Sequence, residues 1–304
     1  MSAPKLTYLP GKESFLDPLR ADADDPASAK AVVIPFGLEA SVSYGGGTKI
    51  GPQAILAASQ QLELYDPEFG REVYAEYGIA ALAEPEIARP LKDALSQLEA
   101  LTGAVLDLGK FPFVLGGEHS LTAGAIRPFA QRFKDLVVLQ FDAHADLRDG
   151  YQGEHFSHAS AMRRVLDNPG VSLVSVGIRA LSSPEVAFYE ANRDRIRIFW
   201  GHEQARWNIE EIVAPLRGRP VYVTFDIDGL DASVMPATGT PTPEGLSFPY
   251  ALEILRRACA AADQVVGADL VEFAPIPHFH AYDYTAALLA YKMLSYALAK
   301  GVHR

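Results

Sequence analysis

Short apolar runs alternate along the chain with longer stretches in which apolar residues recur every three or four positions. The short runs predict strands at AVVIPFG (31–37), FPFVLG (111–116), LVVLQFD (136–142), VSLVSVGI (171–178), IRIFW (196–200), PVYVTFD (220–226) and QVVGADLVE (264–272). The longer stretches predict helices near 89–108, 119–132, 157–167, 184–193, 208–217, 248–262 and 283–300. Several runs are apolar without alternation, which is typical of strands covered on both faces. We therefore expect an α/β fold of three layers, αβα, with a mostly parallel sheet.

The chain has 304 residues, of which 49% are hydrophobic and 21% are charged, as in ordinary globular proteins. That length permits one large α/β domain or two smaller ones. No Ser/Gly/Pro-rich linker and no change of composition divides it. We therefore expect a single domain over 1–304, in which residues 1–28 form an N-terminal extension before the first predicted strand.

Charge and cysteine content exclude several classes of protein. The formal net charge is −11 and no basic stripe is present, which argues against nucleic-acid binding. No apolar run approaches the roughly 18 residues of a membrane span. The stretch MSAPKLTYLPGKESF lacks the features of a signal peptide, and Cys259 has no second cysteine to pair with. We expect a cytoplasmic protein in which Cys259 is a core residue of a helix.

Three polar clusters follow predicted strands: GGEHS (116–120), DAHAD (142–146) and FDIDGLD (225–231). In folds of this class, ligands bind at the carboxyl ends of the strands. Residues two apart in an extended segment point the same way, so Asp142 and His144 would face a common point. Asp226 and Asp228 repeat that spacing. We expect the clusters to converge on one edge of the sheet.

Carboxylates that crowd together repel one another, and a divalent cation or a pair of cations would balance them. The candidate ligands are His119, Asp142, His144, Asp146, Asp226 and Asp228. One ion needs fewer ligands, whereas two ions with bridging carboxylates would use all of them. An oxygen-rich set with some imidazole favours Mn²⁺ over a structural zinc. The alternative is that each cluster is only a capped strand end.

These clusters resemble a known family. GGEHS, DAHADLRDGYQGEHFSHAS and FDIDGLDASVMPATGTP are similar to the signature blocks of the ureohydrolases, the family of arginase and agmatinase. YGGGTKIGPQAI (44–55) and DLVEFAPI (269–276) resemble the outer blocks of the family. The stretches SHASAMRR and VEFAPIP are most similar to bacterial and archaeal agmatinases.

The resemblance implies a centre of two Mn²⁺ ions and a role for each residue. His119 and Asp146 would bind one ion and His144 and Asp228 the other, with Asp142 and Asp226 bridging. A hydroxide between the ions would attack the guanidinium carbon, and Asp228 or an adjacent carboxylate would take its proton. His158 matches the family's proton shuttle, although His155 is a rival by position. Glu272 matches the glutamate that hydrogen-bonds the guanidinium group, and Thr240 would line the pocket.

Acidic residues before the shuttle histidine guide the choice of substrate. Asp149 and Glu154 would repel a carboxylate and suit a positive tail, so we expect a small cationic guanidino substrate. This favours hydrolysis of agmatine to putrescine and urea, a step of polyamine biosynthesis. N1-aminopropylagmatine, guanidinobutyrate and arginine stay open as alternatives. The family resemblance also implies a homo-oligomer, either a trimer or a hexamer.

Other classes remain open at this point. A deacetylase-like relative would use a single zinc ion, a binding module would use no metal, and a two-metal phosphatase would need basic residues such as Arg148, Arg163 or Arg164. His278 and His280 follow two prolines, which predicts a loop that at most borders the substrate channel. Three positions depart from the family pattern, namely Glu118 for aspartate, Ala159 for glycine and Glu244 for glycine.

Overall fold

The computed structural model describes residues 4–301, so residues 1–3 and 302–304 of the expected domain lie outside the described part. Its strands are β1 (Ala31–Phe36), β2 (Ile79–Ala81), β3 (Phe111–Gly116), β4 (Val137–Phe141), β5 (Ser172–Ile178), β6 (Ile196–Trp200), β7 (Pro220–Asp226) and β8 (Gln264–Val271). They form one sheet in the order β2-β1-β3-β8-β7-β4-β5-β6, and every neighbouring pair is parallel. The expected parallel sheet is confirmed.

The α-helices lie between and after the strands. They are α1 (Gly51–Ser59), α2 (Leu91–Asp107), α3 (Thr122–Ala125), α4 (Arg127–Arg132), α5 (Ala161–Leu166), α6 (Ser183–Ala191), α7 (Ile209–Val213), α8 (Phe248–Ala261) and α9 (His280–Leu298). Within residues 4–301, no helix is long and apolar enough to cross a membrane.

Alternate residues of each strand face opposite helical layers. In β1, Ala31 and Val33 belong to the apolar core that includes α1, α7, α8 and α9. Val32 and Ile34 point the other way, into the core that includes α2 and α3. The residues of β1, β3 and β4 are all buried, because helices cover both faces. The structure thus confirms the three-layer αβα architecture.

Several elements differ from the expected ones. Strand β2 and helix α1 were not expected, since β2 has only three residues and α1 only nine. The helix expected over 119–132 is divided into a 3-10 turn, α3 and α4. The helix expected over 208–217 is likewise divided, into α7 and a 3-10 turn over Ala214–Leu216 that contains Pro215, which has no N–H to continue the α-helical pattern. His280 begins α9, so that part of the expected loop is helical.

The expected N-terminal extension packs on the domain. Phe15 and Leu16 are fully buried and join the core formed with α1 and α9. The guanidinium of Arg20 is buried too and donates hydrogen bonds to the carbonyls of Phe15 and Ile79. The backbone N–H of Leu9 donates to the carbonyl of Ala81 at 2.8 Å. Residues 9–20 are therefore part of the packed structure.

Candidate metal centre and active site

Four adjacent strands, β3, β8, β7 and β4, carry the candidate site at their carboxyl ends. His119 follows β3, Glu272 follows β8, Asp226 ends β7 and Asp142 follows β4. Because the strands are parallel, these ends share one edge of the sheet. The three sequence clusters therefore meet there, as expected from the position of each cluster after its strand.

The glycines of GGEHS let the chain reach this edge. A Cβ atom at Gly117 would lie 2.0 Å from the carbonyl oxygen of Leu38, so a side chain has no room there. The N–H of Glu118 donates a hydrogen bond of 2.7 Å to the same carbonyl. Close contact with the loop after β1 thus sets the direction in which the chain enters His119.

The first group of candidate ligands surrounds the buried imidazole of His119. Its Nδ1 lies 3.2 Å from Asp142 Oδ2, 3.0 Å from Asp146 Oδ2 and 3.3 Å from Asp226 Oδ2. The ligand atoms of His119, Asp142 and Asp146 are close enough together to hold a metal ion. On the far side of the ring, Nε2 lies 2.9 Å from the hydroxyl oxygen of Thr224 in β7.

The second group lies around His144. Its Nδ1 is 3.0 Å from Asp228 Oδ2 and 3.6 Å from Asp142 Oδ1. Asp142, His144 and Asp228 could likewise hold an ion. Asp142 belongs to both groups and turns one oxygen towards each histidine. This geometry suits two cations that share a carboxylate.

Nearby donors fix the orientation of the carboxylates. The N–H of His144 donates to Asp142 Oδ1 at 2.6 Å, and the side-chain amide of Gln140 donates to Asp142 Oδ2 at 2.8 Å. The N–H of Ala143 donates to Asp228 Oδ1 at 3.0 Å. The N–H of Asp228 itself donates to Asp226 Oδ1 at 2.9 Å. The cluster is therefore preorganised by the backbone turns that follow β4 and β7.

Burial and mutual repulsion shift the pKa values of the cluster. Burial, reinforced by the charge of Asp142, raises the pKa of Asp146 to about 7. Burial and the charges of Asp228 and Asp142 raise the pKa of Asp226 well above its usual range. For His144, burial is outweighed by Asp228 and Asp142, so its pKa rises to about 12. Without cations, the cluster is stable only if it retains protons.

The residues fit divalent cations. The Nδ1 atom of His119 is buried and makes no hydrogen bond of normal geometry to the part of the chain that is described. Cations at the two groups would give this nitrogen a partner and would replace the retained protons. Carboxylate oxygens and imidazole nitrogens are ligands that such ions accept in proteins.

Two site residues have strained backbones. Asp146 has φ of 52° and Glu272 has φ of 62°, in the left-handed region that residues other than glycine rarely adopt. Such conformations cost about 1–3 kcal/mol each and concentrate at functional sites. The strain turns both carboxylates towards the cavity that they help to line.

Glu272 is tied to the candidate metal ligands through the backbone. Its Oε1 accepts the N–H of His119 at 2.7 Å, and its own N–H donates to the carbonyl of Gly117 at 2.8 Å. Burial raises the pKa of Glu272 to about 8. The loops after β3 and β8 are thus joined into one unit.

A cavity of about 290 Å³ opens onto the cluster. Residues expected at the site that line it are His144, Asp146, His158, Asp226, Asp228, Thr240 and Glu272. The hydroxyl of Thr240 donates to Asp228 Oδ2 at 3.4 Å. A cavity of this size accepts a small molecule.

His158 lies in the 3-10 turn His158–Ser160 and reaches the cavity with its ring. Its Nδ1 is 3.2 Å from Ser41 Oγ, and its Nε2 is 3.3 Å from Ser43 Oγ. Burial lowers the pKa of His158. The rival His155 instead contacts Arg164 and the ring of Phe156. Among the described residues that line the cavity, His158 is present and His155 is not.

Two of the expected substrate residues do not reach the cavity. Asp149 pairs with Arg164 at 2.7 Å and lies 3.6 Å from Arg163, so its charge is balanced at the surface. Glu154 accepts the N–H of Phe156 within its own turn. Both lie in the loop after Asp146, which turns their side chains away, and Arg148, Tyr151 and Glu185 line the cavity instead. The positions of Asp149 and Glu154 therefore do not support their expected role in binding the substrate.

Several functional contacts were missed by sequence reasoning. Ser41 and Ser43 precede the YGGG block, and nothing in their spacing linked them to His158. Gln140 and Thr224 hold Asp142 and His119, and both are polar residues inside otherwise apolar buried strands. A buried polar residue in such a strand was the available signal. His278 and His280 are exposed and are not among the described residues that line the cavity.

Comparison with known proteins agrees with this geometry. The family model described as the arginase family matches residues 29–299. The N(1)-aminopropylagmatine ureohydrolase of Synechocystis sp. is 37% identical over 279 residues, covering 89% of this chain and 90% of that protein. The agmatinase of Bacillus anthracis is 35% identical and covers 83% of this chain and 86% of its own length. The crystal structure of agmatine ureohydrolase of Thermoplasma volcanium superposes with a TM-score of 0.79 at 30% identity, covering 89% and 90% of the two chains.

Fold, site and sequence similarity together define an α/β protein with a carboxylate-rich pocket whose His/Asp groups could hold metal ions. The chain belongs to the arginase family. Within that family it is a ureohydrolase, similar both to agmatinases and to N(1)-aminopropylagmatine ureohydrolases.

Proposed function

We propose that the protein hydrolyses the guanidino group of agmatine and releases putrescine and urea. One observation carries the proposal: two His/Asp groups share Asp142 at a cavity that Glu272 also lines. The relatives named agmatinase and agmatine ureohydrolase support this choice of substrate.

Under this proposal two Mn²⁺ ions bind per chain. His119 and Asp146 would hold one and His144 and Asp228 the other, while Asp142 and Asp226 would contact both. The contacts of Asp142 with both histidines support the shared role. When bound, divalent cations supply a water molecule of lowered pKa and balance the acidic charge. An oxygen-rich ligand set supports Mn²⁺ as the metal.

Each of the remaining residues has a role in the proposed reaction. Glu272 binds the guanidinium group, because a carboxylate matches its planar fork of N–H donors. Asp228 or an adjacent carboxylate of the cluster accepts the proton, and Thr240, whose hydroxyl lies 3.4 Å from Asp228 Oδ2, lines the substrate pocket. His158 donates a proton to the nitrogen of the leaving amine, since a histidine exchanges protons near neutral pH.

The substrate tail extends towards the outer part of the cavity. Tyr44 lines that part and offers an aromatic face to an ammonium group. The guanidinium of Arg148 lies over the ring of Tyr151 at 4.7 Å and 3.7 Å from Glu185, so its charge is partly balanced. A cationic tail is therefore compatible with the pocket even though Asp149 and Glu154 lie elsewhere.

N1-aminopropylagmatine is the second candidate substrate. The relative from Synechocystis sp. that carries this activity in its name covers 89% of the chain at 37% identity. Its longer polyamine tail needs the same guanidinium pocket and more room beyond it. The cavity opens to solvent past the exposed side chain of Tyr44, which provides that room.

Urea release from a panel of guanidino compounds tests the proposal. Agmatine, N1-aminopropylagmatine, guanidinobutyrate and arginine are compared with and without added Mn²⁺, and bound metal is counted by elemental analysis. We expect about two Mn per chain and the highest kcat/KM with agmatine or its aminopropyl derivative. Preference for arginine would contradict the cationic tail, and a single zinc with deacetylation would contradict the reaction.

We also propose that the protein acts in polyamine biosynthesis in the cytoplasm, as a single-domain chain that forms a homo-oligomer. A trimer or a hexamer is the expected state. Light scattering coupled to size-exclusion chromatography measures the mass directly, and a monomeric mass would contradict this part.

A further inference from the structure

We propose that Ser41, itself held by the buried carboxylate of Glu118, fixes the tautomer of His158. In that tautomer Nδ1 carries the hydrogen and Nε2, beside the cavity, is the nitrogen that exchanges protons. The functional meaning of this inference rests on the proposed function, whereas the tautomer itself can be measured without it. Ser41 and Glu118 are positioning residues, since they act on the reaction through His158.

The environment of Glu118 decides where the Ser41 hydroxyl points. Glu118 is fully buried, and its Oε2 accepts the N–H groups of Ala40 and Ser41, each at 2.6 Å. Its Oε1 accepts the hydroxyls of Ser41 at 2.7 Å and Ser120 at 2.6 Å. Both oxygens of Glu118 therefore accept hydrogen bonds, and Oε2 faces two backbone N–H groups, which can only donate. The Ser41 hydroxyl, 2.7 Å from Oε1, gives its single hydrogen to Glu118.

The oxygen of Ser41 is then left as an acceptor only. It accepts the backbone N–H of His158 at 2.9 Å and lies 3.2 Å from Nδ1 of the same residue. If Nδ1 carries the hydrogen, it donates to Ser41. In the other tautomer, two lone pairs would face each other at 3.2 Å, which is unfavourable.

Two further serines contact the ring. Ser43 Oγ lies 3.3 Å from Nε2, and its hydroxyl can donate to that nitrogen in the proposed tautomer. Ser157 Oγ lies 3.4 Å from Nδ1 and would favour the opposite tautomer by donating to it. The Ser157 contact is the longer of the two at Nδ1, and Ser41 cannot turn because Glu118 and the backbone N–H of His158 both hold it. Ser41 therefore determines which tautomer of His158 forms.

The arrangement assigns a direction to the proton transfer. Nε2 takes one proton from solvent and gives it to the nitrogen of the leaving amine, while the hydrogen on Nδ1 stays bonded to Ser41. The departure from aspartate at position 118 has a structural reason. The extra methylene of Glu118 extends its carboxylate to the backbone N–H groups of Ala40 and Ser41.

Nuclear magnetic resonance tests the tautomer directly. Protein labelled with ¹⁵N-histidine, metal-free and loaded with diamagnetic Zn²⁺, gives long-range ¹H–¹⁵N correlations that distinguish the two tautomers. His158→Asn identifies the signals of residue 158 by their loss. We expect the hydrogen on Nδ1 in the unmodified protein. A spectrum with the hydrogen on Nε2 would overturn the inference whatever the substrate is. The tautomer is read from the unmodified protein, and the variant serves only to assign the signals.

Variants then test the role of Ser41. In Ser41→Ala we expect a mixture of tautomers and a fall in kcat of roughly tenfold or more, the size expected when a general acid is misplaced. KM and bound metal should stay unchanged, and Ser41→Thr, which keeps the hydroxyl, should restore both tautomer and kcat. Ser96→Ala, an exposed serine that bonds only its own helix, is the control. An unchanged tautomer and an unchanged kcat in Ser41→Ala would overturn the inference. If the unmodified protein releases urea from none of the compounds, the proposed function fails while the NMR result still decides the tautomer.

Discussion

Thr224 orients the imidazole of the candidate metal ligand His119, since its hydroxyl lies 2.9 Å from His119 Nε2. The buried carboxylate of Asp269 accepts hydrogen bonds from Tyr222 at 2.8 Å and from Thr122 at 3.0 Å. For Nδ1 of His119 to bind a cation, Nε2 must carry the hydrogen and donate it to Thr224. The contact therefore orients the ligand and selects its tautomer.

Replacing Thr224 by valine should weaken metal binding. The change keeps the shape of the side chain but removes the acceptor for His119 Nε2, so we expect a loss of affinity for Mn²⁺ of about 10- to 100-fold. Calorimetric titration of metal-free protein with Mn²⁺ measures it. Tyr222→Phe, which removes a bond to Asp269 without touching His119, should change the affinity less. Equal affinities in the unmodified protein and Thr224→Val would refute the role of this contact.

Arg148 provides a test of the substrate tail. It is the one arginine or lysine among the described residues that line the cavity. Arg148→Gln should raise kcat/KM for agmatine and lower it for 4-guanidinobutyrate, each about fivefold, because the interaction of two solvent-exposed charges is worth up to about 1 kcal/mol. Initial rates of urea release measure both. Arg163, whose guanidinium lies over the ring of Phe188, provides the control, and Arg163→Gln should leave the substrate preference unchanged. If kcat/KM of Arg148→Gln falls with both substrates, the variant has damaged the site and the charge of Arg148 does not set the preference.

Glu244 departs from the glycine common in the family, and its backbone shows the consequence. Its φ is 66°, in the left-handed region that costs residues with a Cβ atom about 1 kcal/mol or more. Glu244→Gly should therefore raise the free energy of unfolding by about 0.5–1 kcal/mol, as measured by urea denaturation. Glu244→Ala keeps the Cβ atom and should bring no such gain. A gain of the same size in alanine would assign the effect to the lost charge instead.

At the scale of elements, the N-terminal segment has an unexpected structural role. Phe15 is fully buried in the core, whereas Leu19, four residues later, is 90% exposed. Phe15→Ala should lower the free energy of unfolding by about 3–5 kcal/mol, because it removes a ring from a packed interior. Leu19→Ala should change it by less than about 0.5 kcal/mol. Equal small effects, measured by chemical denaturation, would show that the segment does not contribute to the core.

The elements that were predictable are those with a local signal. Buried parallel strands appear as unbroken apolar runs, so β1 and β3 to β8 were found with bounds close to those observed. Strand β2 is three residues long and shows no period, and α1 has nine residues beside the glycine-rich block. The ligand clusters were found because each follows such a strand. Ser41 and Thr224 were missed, and Arg148 was considered only as a phosphatase residue, because only the fold brings these side chains to their partners.

For the whole molecule, metal should couple to stability. Burial and neighbouring carboxylates raise the pKa values of Asp146 and Asp226 in the cluster, and cations that bind only the folded state would relieve this repulsion. Removal of metal with a chelator should lower the melting temperature, and Mn²⁺ at 100 times its Kd should restore about 2.7 kcal/mol. Thermal scans with and without chelator measure this. In Asp142→Asn, the melting temperature should change much less when metal is removed. If the melting temperature of the unmodified protein is identical with and without metal, tight metal binding is contradicted.

The position of β8 in the sheet has a consequence for biosynthesis. Strand β8 pairs with β3 on one side and β7 on the other, yet it is the last of the described strands in chain order. Until residue 264 has been made, no described strand joins the part of the sheet that carries His119 to the part that carries Asp142, His144, Asp226 and Asp228. A nascent chain that stops before residue 264 therefore cannot bring the candidate ligands together, and we expect such a fragment to be inactive.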